Sequence, residues 1–307
     1  MSFPAVRAAA RPDLLAPGSP AHRLLAEPLF YVYGLPGFMV PLLHPATAAA
    51  TMQMDRVFTD PSADLVSFAL RLRDTVEMIA GVALADESDH VAFAMRELHR
   101  GVSGNDTRGE SYHAWTRDIW TWNWAAIVSA FMNGYAAFRG WPSDEFRDEA
   151  YLGMVEVGRR FGVLGMPESY DEFAATWPAQ RDRIADPDNA TIQFLHGFIR
   201  ASGLPKPRGL RWLPLPLWAL ASLPIRHVLR VSLVAGLTDD ERAMIGFRPR
   251  PTDALAAQVH RTFWRLVLPR PLAYRAGILW IQAHQRFGKP VWRTRFSAAA
   301  LASSKES

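Results

Sequence analysis

The chain has 307 residues, 49% of them apolar and 21% charged, which supplies apolar material for one large domain or two small ones. The formal net charge of +4 is spread along the chain, and this excludes the dense basic face of a nucleic-acid-binding protein. The absence of cysteine excludes disulfides, thiolate metal sites, iron–sulfur clusters and a cysteine-ligated haem.

The beginning of the chain, residues 1–20, carries arginines but no apolar run of signal-peptide length. We therefore expect a flexible N-terminal arm on a cytoplasmic protein. Residues 210–237 are apolar enough to suggest a membrane span, but Pro224, Arg226 and Arg230 make a bilayer crossing costly. A buried or surface-lying helix pair is expected there instead. The pI near 9.6 is compatible with weak contact with anionic membrane surfaces.

Apolar residues recur at helical spacing along most of the chain, whereas no alternating strand pattern and no hairpin dipeptide is found. The sequence therefore predicts an all-α fold. Capping residues and prolines place the expected helices at residues 40–54, 65–84, 88–99, 116–138, 143–161, 170–184, 188–202, 217–235, 239–245, 252–268 and 271–287. Residues 204–216 are rich in proline and arginine and form the best candidate for a linker or crossover.

One histidine stands at the end of the helix predicted over residues 88–99. Val91, Met95, Leu98 and Val102 follow one another at intervals of four, three and four, so they form an apolar stripe with His99 at its edge. An imidazole in this position can present one ring nitrogen to a metal while a backbone carbonyl holds the other. The alternative is a core histidine whose two nitrogens bond to carbonyls or water.

The preceding helix carries a second pair of polar side chains. Arg71 and Thr75 are four residues apart and so lie on one side of it, beside the apolar stripe. Together they can bond an anionic group or each other. The alternative is a solvated arginine and a threonine that bonds back to the preceding turn.

Four segments, taken in order, carry a family resemblance. They are LLHPATAAATMQMDRVFTDP (residues 42–61), the Arg71-x-x-x-Thr75 pattern, ELHRGVSG (97–104) and YHAWTRDIWTWNWAAIV (112–128). Each motif is loose, and their order carries the likeness. The chain resembles the MpaB-like oxygenases, whose catalytic domain is shared with the latex-clearing rubber oxygenases, and the resemblance continues through the C-terminal helices.

The resemblance implies a single large helical domain over residues 21–295, with a globin-like helical core around a buried haem pocket. The proline-rich segment 204–216 becomes a crossover inside that domain. Residues 1–20 remain a flexible arm, and residues 296–307 form a loose tail. No strand is expected in any of these segments.

The resemblance also assigns roles to residues. His99 is implied as the axial ligand of haem b iron, with Arg71 and Thr75 beside the haem as cofactor-binding and catalytic residues. The implied enzyme is an oxidoreductase, a haem-dependent oxygenase that uses O2. Cage walls of Leu, Phe, Trp and Ala favour a small apolar, unsaturated isoprenoid or lipid-like substrate. The alternatives are a haem-free helical protein that binds a lipid or terpenoid, and an adaptor whose Arg-rich C-terminal helices meet a membrane or partner.

Several positions depart from the family pattern. Asp74 stands where the rubber oxygenases have a lysine, and only Gln53 and Asp55 lie near the place of their proposed glutamate base. Trp124 falls in a stretch where many relatives carry a histidine. The haem assignment transfers despite these changes, whereas polyisoprene as the substrate does not.

Overall fold

Helices account for nearly all of the regular structure, which confirms the predicted all-α fold. The computed structural model describes residues 12–189, 191–193, 195, 204–288, 290 and 292. The α-helices are α1 (Pro20–Leu25), α2 (Phe30–Tyr33), α3 (Leu35–Met39), α4 (Pro45–Met54), α5 (Arg56–Thr59), α6 (Leu65–Leu84), α7 (Ser88–His99), α8 (Arg117–Phe138), α9 (Asp144–Arg160), α10 (Tyr170–Ile184), α11 (Leu215–Ala221), α12 (Leu223–Gly236), α13 (Asp239–Met244), α14 (Pro251–Val267) and α15 (Arg270–Phe287). Short 3-10 helices cover Pro12–Leu15, Pro41–Leu43 and Arg208–Leu210.

Side-chain caps set the beginnings of several long helices. Helix α6 begins after Asp64, whose carboxylate accepts a hydrogen bond from the Ser67 amide at 2.9 Å, while the Ser67 hydroxyl accepts from the Asp64 amide. A capping box between Thr238 and Glu241 opens the short helix α13.

The core is centred on α8, which is buried on more than one side, as its tryptophans predict. Trp122 is 0% exposed and Trp124 is 3% exposed although the two rings leave the helix in different directions. Two other helices pack so closely that only glycine fits between them and their neighbours. A Cβ on Gly153 of α9 would lie 2.0 Å from the Cβ of Ala21, and a Cβ on Gly277 of α15 would lie 1.7 Å from the carbonyl oxygen of Ala26.

A small hairpin between α7 and α8 is the one departure from the all-helical expectation within the described residues. Strand β1 (Ser103–Asn105) pairs antiparallel with β2 (Ser111–His113), with Gly104 opposite Tyr112. The Asp106 carboxylate accepts amide hydrogen bonds at 2.8 and 2.9 Å and so closes the turn. Three-residue strands are too short to show an alternating pattern, which is why the sequence did not predict them.

The chain ends are only partly described. Within the predicted arm, Pro12–Leu15 forms a 3-10 helix, and Leu15 packs into the main core with 6% exposure. Residues 1–11, the predicted tail 296–307 and most of the predicted helix 188–202 lie outside the described residues. The proposed domain boundaries stay a prediction.

The proline-rich crossover is tied to the start of α6. The amide of Arg208 donates a hydrogen bond to Asp64 Oδ2 at 2.9 Å, and its guanidinium donates to the Ser62 hydroxyl at 2.8 Å. After it, α11 and α12 expose many large apolar residues; Leu215, Leu217, Leu220 and Leu223 are each at least half exposed, as is Trp212 in the crossover itself. Within the described part of the chain, no single helix has the length and apolar composition of a membrane span. Helices α11 and α12 taken together have that length and composition, but their axes are inclined to each other by 53°.

A buried carboxyl group joins α6 to α15. Glu77 is 1% exposed; its Oε1 accepts a hydrogen bond from Trp280 Nε1 at 3.3 Å, and its Oε2 lies 3.1 Å from His284 Nε2. Burial raises the pKa of Glu77 to about 7, against the opposing charge of Arg73. Burial is also the main cause that lowers the pKa of His284.

This carboxyl group predicts a pH effect on stability. Because its pKa in the folded protein lies above the ordinary value of 4.5, the stability that it contributes at low pH is lost as the pH rises through about 7. The free energy of unfolding of Glu77→Gln should therefore increase relative to wild type between about pH 5 and about pH 8. Urea unfolding across that range measures the difference. The difference reports on the carboxyl group together with His284, which contacts it, and an unchanging difference would contradict the expectation.

Candidate functional site

The site is organised around His99, the last residue of α7. Its Nδ1 lies 2.8 Å from the carbonyl oxygen of Met95, one turn earlier in the same helix. A carbonyl only accepts, so Nδ1 carries the proton and Nε2 keeps its lone pair. Among the residues that the structure describes, the Met95 carbonyl is the one hydrogen-bond partner of the ring, so Nε2 makes no hydrogen bond there. The ring is thus held by its helix with one basic nitrogen free.

The surroundings of the ring keep the imidazole neutral. Burial lowers the pKa of His99, the bond to Met95 opposes this, and the positive charge of Arg71 lowers it further. The edge of Trp120 packs against the ring, with centroids 4.8 Å apart and planes inclined by 71°. The indole of Trp120 is fixed in turn by its Nε1, which donates to the carbonyl of Phe161 at 3.2 Å. A neutral imidazole in a fixed orientation is the state that binds a metal.

Arg71 and Thr75 form a bonded unit on α6, as their spacing allows. The Arg71 guanidinium donates to the Thr75 hydroxyl, which itself donates to the Arg71 carbonyl at 3.0 Å. The Arg71 Nε also donates to Asp55 Oδ2 at 2.6 Å, and the guanidinium lies 5.7 Å from the ring centre of Phe38. Helix α6, which carries this unit, packs against α7, which ends at His99, and the positive charge of Arg71 is one of the causes that lower the pKa of His99.

Asp55 is the site residue that the sequence analysis missed as a functional partner. It caps α5, where its Oδ1 accepts from the Val57 amide at 3.0 Å, and its other oxygen receives Arg71. Its side chain is 12% exposed, whereas that of Arg71 is 41% exposed, so solvent reaches the ion pair from the side of the guanidinium. The only signal in the sequence was its position near the place of the family's glutamate. The contact crosses 16 residues, and helix periodicity does not report such contacts.

Three departures from the family pattern are explained by what their side chains contact. Asp74 is held by Arg73 through two hydrogen bonds at 3.1 and 2.7 Å. Gln53 donates to the carbonyl of Asn105 in the hairpin at 3.4 Å. Trp124 is a core residue whose Nε1 donates to the carbonyl of Met154 at 3.0 Å. These three side chains serve packing and local structure.

The one imidazole at this site suits a metal whose other ligands come from a cofactor and not from the protein. No group of three or more His, Asp or Glu side chains that could hold a metal ion occurs within the described part of the chain. His99 instead offers a single neutral imidazole, oriented by a carbonyl, with a free lone pair. One imidazole is what a haem iron takes as its proximal ligand, since the macrocycle supplies the four equatorial nitrogens. The residues present therefore fit a haem.

Comparison with known proteins relates the chain to a family of oxygenases. A family model described as "ER-bound oxygenase mpaB/B'/Rubber oxygenase, catalytic domain" matches residues 22–298. No curated protein and no solved structure matches the chain. The match covers every element of the site described above. The ligand role of His99 and the binding and catalytic roles of Arg71 and Thr75 stay predictions.

Proposed function

This chain belongs to the family of mpaB and rubber oxygenase catalytic domains, and from that premise we propose that it is a haem b-dependent oxygenase with His99 as the axial iron ligand. As an oxygenase catalytic domain it is an oxidoreductase. The assignment of haem b and of His99 as its ligand rests on one observation. The Nδ1 of His99 is held by the Met95 carbonyl, and its Nε2 is unpartnered. When bound, haem b supplies the redox chemistry and the O2 affinity that an oxygenase requires.

The protein residues hold and orient. The carbonyl of Met95 fixes the tautomer of His99 and increases the basicity of its Nε2. Asp55 and Thr75 hold the guanidinium of Arg71, whose side chain is still 41% exposed and keeps donors free. In the proposal, Arg71 binds an anionic group of the cofactor or a polar group of the substrate, because a planar guanidinium suits carboxylates.

The substrate is proposed to be apolar and unsaturated, an isoprenoid or lipid-like molecule, with O2 as co-substrate. The elements that carry the site bear half-buried apolar side chains next to the core, among them Phe58, Leu72, Met95, Leu98 and Trp120. Such walls exclude water and offer few polar partners, so they suit hydrocarbon chains. The cytoplasmic location and a peripheral membrane contact stay predictions.

A pair of hydrocarbons tests this substrate class. Squalene and squalane have the same carbon skeleton, but only squalene has double bonds. The haem-loaded protein is expected to consume O2 in the presence of squalene and not in the presence of squalane. An oxygen electrode measures the rates, and mass spectrometry identifies products that contain added oxygen. Equal consumption with both hydrocarbons, or none with either, would contradict an unsaturated apolar substrate.

A second function is supported by the ion pair at the site. Asp55 already pairs with the charge of Arg71, and the Thr75 hydroxyl accepts from the same guanidinium, so both site side chains of α6 have a partner without a cofactor. This favours the haem-free alternative, a helical protein that binds a lipid or terpenoid. The two functions differ in one simple property. Only the haem protein has a visible absorption spectrum that changes on reduction.

A further inference from the structure

An open cleft of about 330 Å³ lies on the molecule between α1, α8 and the start of α15. Its walls carry three arginines and three aromatic residues, namely Arg23, Arg270, Arg275, Tyr135, Phe146 and Tyr274. The volume falls within the range of small-molecule sites. None of these residues belongs to the site around His99.

The cleft carries a positive charge that the one carboxylate in its wall, Glu27, does not neutralise. Glu27 lines the cleft, but its two carboxylate oxygens bond the buried guanidinium of Arg139 at 2.8 and 2.9 Å. The guanidinium groups of Arg23 and Arg275 have no hydrogen-bond or ion-pair partner among the residues that the structure describes, and both residues are exposed. Two guanidinium groups are therefore available to a ligand.

The third arginine is fixed in place by the backbone. Arg270 donates from Nη2 to the carbonyl oxygens of Arg139 and Gly140, each at 2.8 Å. Carbonyls orient the guanidinium without neutralising it. The charge of Arg270 affects a neighbouring arginine. Burial lowers the pKa of Arg265, and the positive charges of Arg261, Arg270 and Arg139 lower it further. The positive potential at this corner is thus a property of several elements together.

The opposite wall is aromatic and rigid. Tyr135 stacks on Trp141 and Phe146, with ring centroids 4.9 and 6.0 Å apart. Tyr135 lines the same cleft as Arg23 and Arg270; burial and the charge of Glu27 raise its pKa, and the charges of Arg270, Arg139 and Arg23 oppose them. The cleft therefore combines a neutral O–H donor and a flat apolar wall with three cations.

We propose that this cleft binds the phosphate group of an organic phosphate, with Arg23, Arg270 and Arg275 as its cationic partners. Guanidinium groups match phosphate oxygens in pairs, and three of them supply more positive charge than a phosphate dianion needs. The organic part of the ligand packs on the Tyr135 wall. The same chemistry is offered by a soluble phosphomonoester and by the headgroup of an anionic lipid. An apolar surface for a lipid is provided by Leu266 and Leu272, which precede and follow Arg270 in the sequence and are 77% and 49% exposed.

The experiment uses two double variants of the full chain with equal loss of charge. Arg23→Gln/Arg275→Gln removes the two unpartnered cations of the cleft. Arg183→Gln/Arg286→Gln removes two exposed arginines that do not line it. The first probe is glycerol 3-phosphate, whose binding is measured by calorimetry with glycerol as the control. The second probe is phosphatidylcholine vesicles with and without phosphatidic acid, whose binding is measured by co-sedimentation. Ionic strength is kept constant because screening changes all such contacts.

The wild-type protein is expected to bind at least one phosphate-bearing probe, and the cleft variant should lose about tenfold or more in affinity, the effect of losing one charged hydrogen bond. The other double variant should retain its affinity. Binding of glycerol 3-phosphate identifies a soluble ligand, and selective binding of phosphatidic acid vesicles identifies a lipid headgroup; both support the site. Equal losses in the two variants, or no binding of either probe by wild type, would overturn it.

Discussion

A His99→Ala protein is expected to retain less than about a tenth of the haem carried by the wild-type protein, since losing even an outer-shell partner costs a metal site about tenfold or more. The expectation follows from the donor set, because His99 is the residue with a free, oriented imidazole nitrogen at this site. The fold should survive. His99 ends α7, and its ring makes one hydrogen bond, to a carbonyl of its own helix. The haem content per polypeptide, measured as the pyridine haemochrome after purification, checks the prediction.

Two further variants separate loss of a ligand from loss of structure. His113→Ala removes an exposed imidazole from the hairpin and should leave the haem content unchanged. In His99→Gly, added imidazole is expected to restore haem binding, because the free base can occupy the space of the missing side chain. An H99A protein with full haem content and an unchanged Soret spectrum would show that another group binds the iron.

The second large effect is expected from Arg139→Ala, which should lower the free energy of unfolding by about 3–5 kcal/mol. The Arg139 and Glu27 side chains are 1% and 5% exposed and share two hydrogen bonds. The guanidinium also donates to the carbonyls of Trp264 and Leu268 at 3.2 and 2.6 Å, and so joins α8 to the end of α14. Without it, the Glu27 carboxylate is left buried and unpaired. Urea unfolding at neutral pH measures the loss.

A matched control is provided by the exposed ion pair in α9. Asp144, 82% exposed, accepts from Arg147 at 3.0 Å, which is the same chemistry in contact with water. Asp144→Ala should cost less than about 1 kcal/mol because solvent screens the pair. A loss from Arg139→Ala no larger than that of the surface variant would mean that Glu27 finds another partner or becomes protonated.

Local patterns in the sequence were sufficient for the helices and for part of the site. Apolar spacing and capping residues predicted a helix over residues 65–84, and the structure has it over Leu65–Leu84. The four-residue spacing of Arg71 and Thr75 allowed a bond between them, and the structure has it together with the bond from Thr75 back to the preceding turn. The position of His99 at a helix end predicted that a backbone carbonyl would hold one nitrogen, and Met95 does so. Each of these relations lies within one helix turn or one helix.

Relations between distant segments could not be predicted in the same way. Periodicity indicates which face of a helix is buried, but it does not indicate which partner covers that face. Glu27 and Arg139 are 112 residues apart, and Trp280 and Glu77 are 203 residues apart. The contact of Asp55 with Arg71 depends on how α5 folds back on α6. The cleft beside Tyr135 arises only when α1, α8 and α15 meet.

The visible absorption spectrum of the purified protein, recorded as isolated, after dithionite and after CO, tests the central claim most directly. A haem bound through His99 predicts a Soret band that shifts on reduction and shifts again when CO binds on the open side. Cells supplied with a haem precursor should yield the protein in this form. A flat spectrum under the same conditions, with no band after addition of hemin, would contradict the haem assignment and favour the lipid-binding alternative.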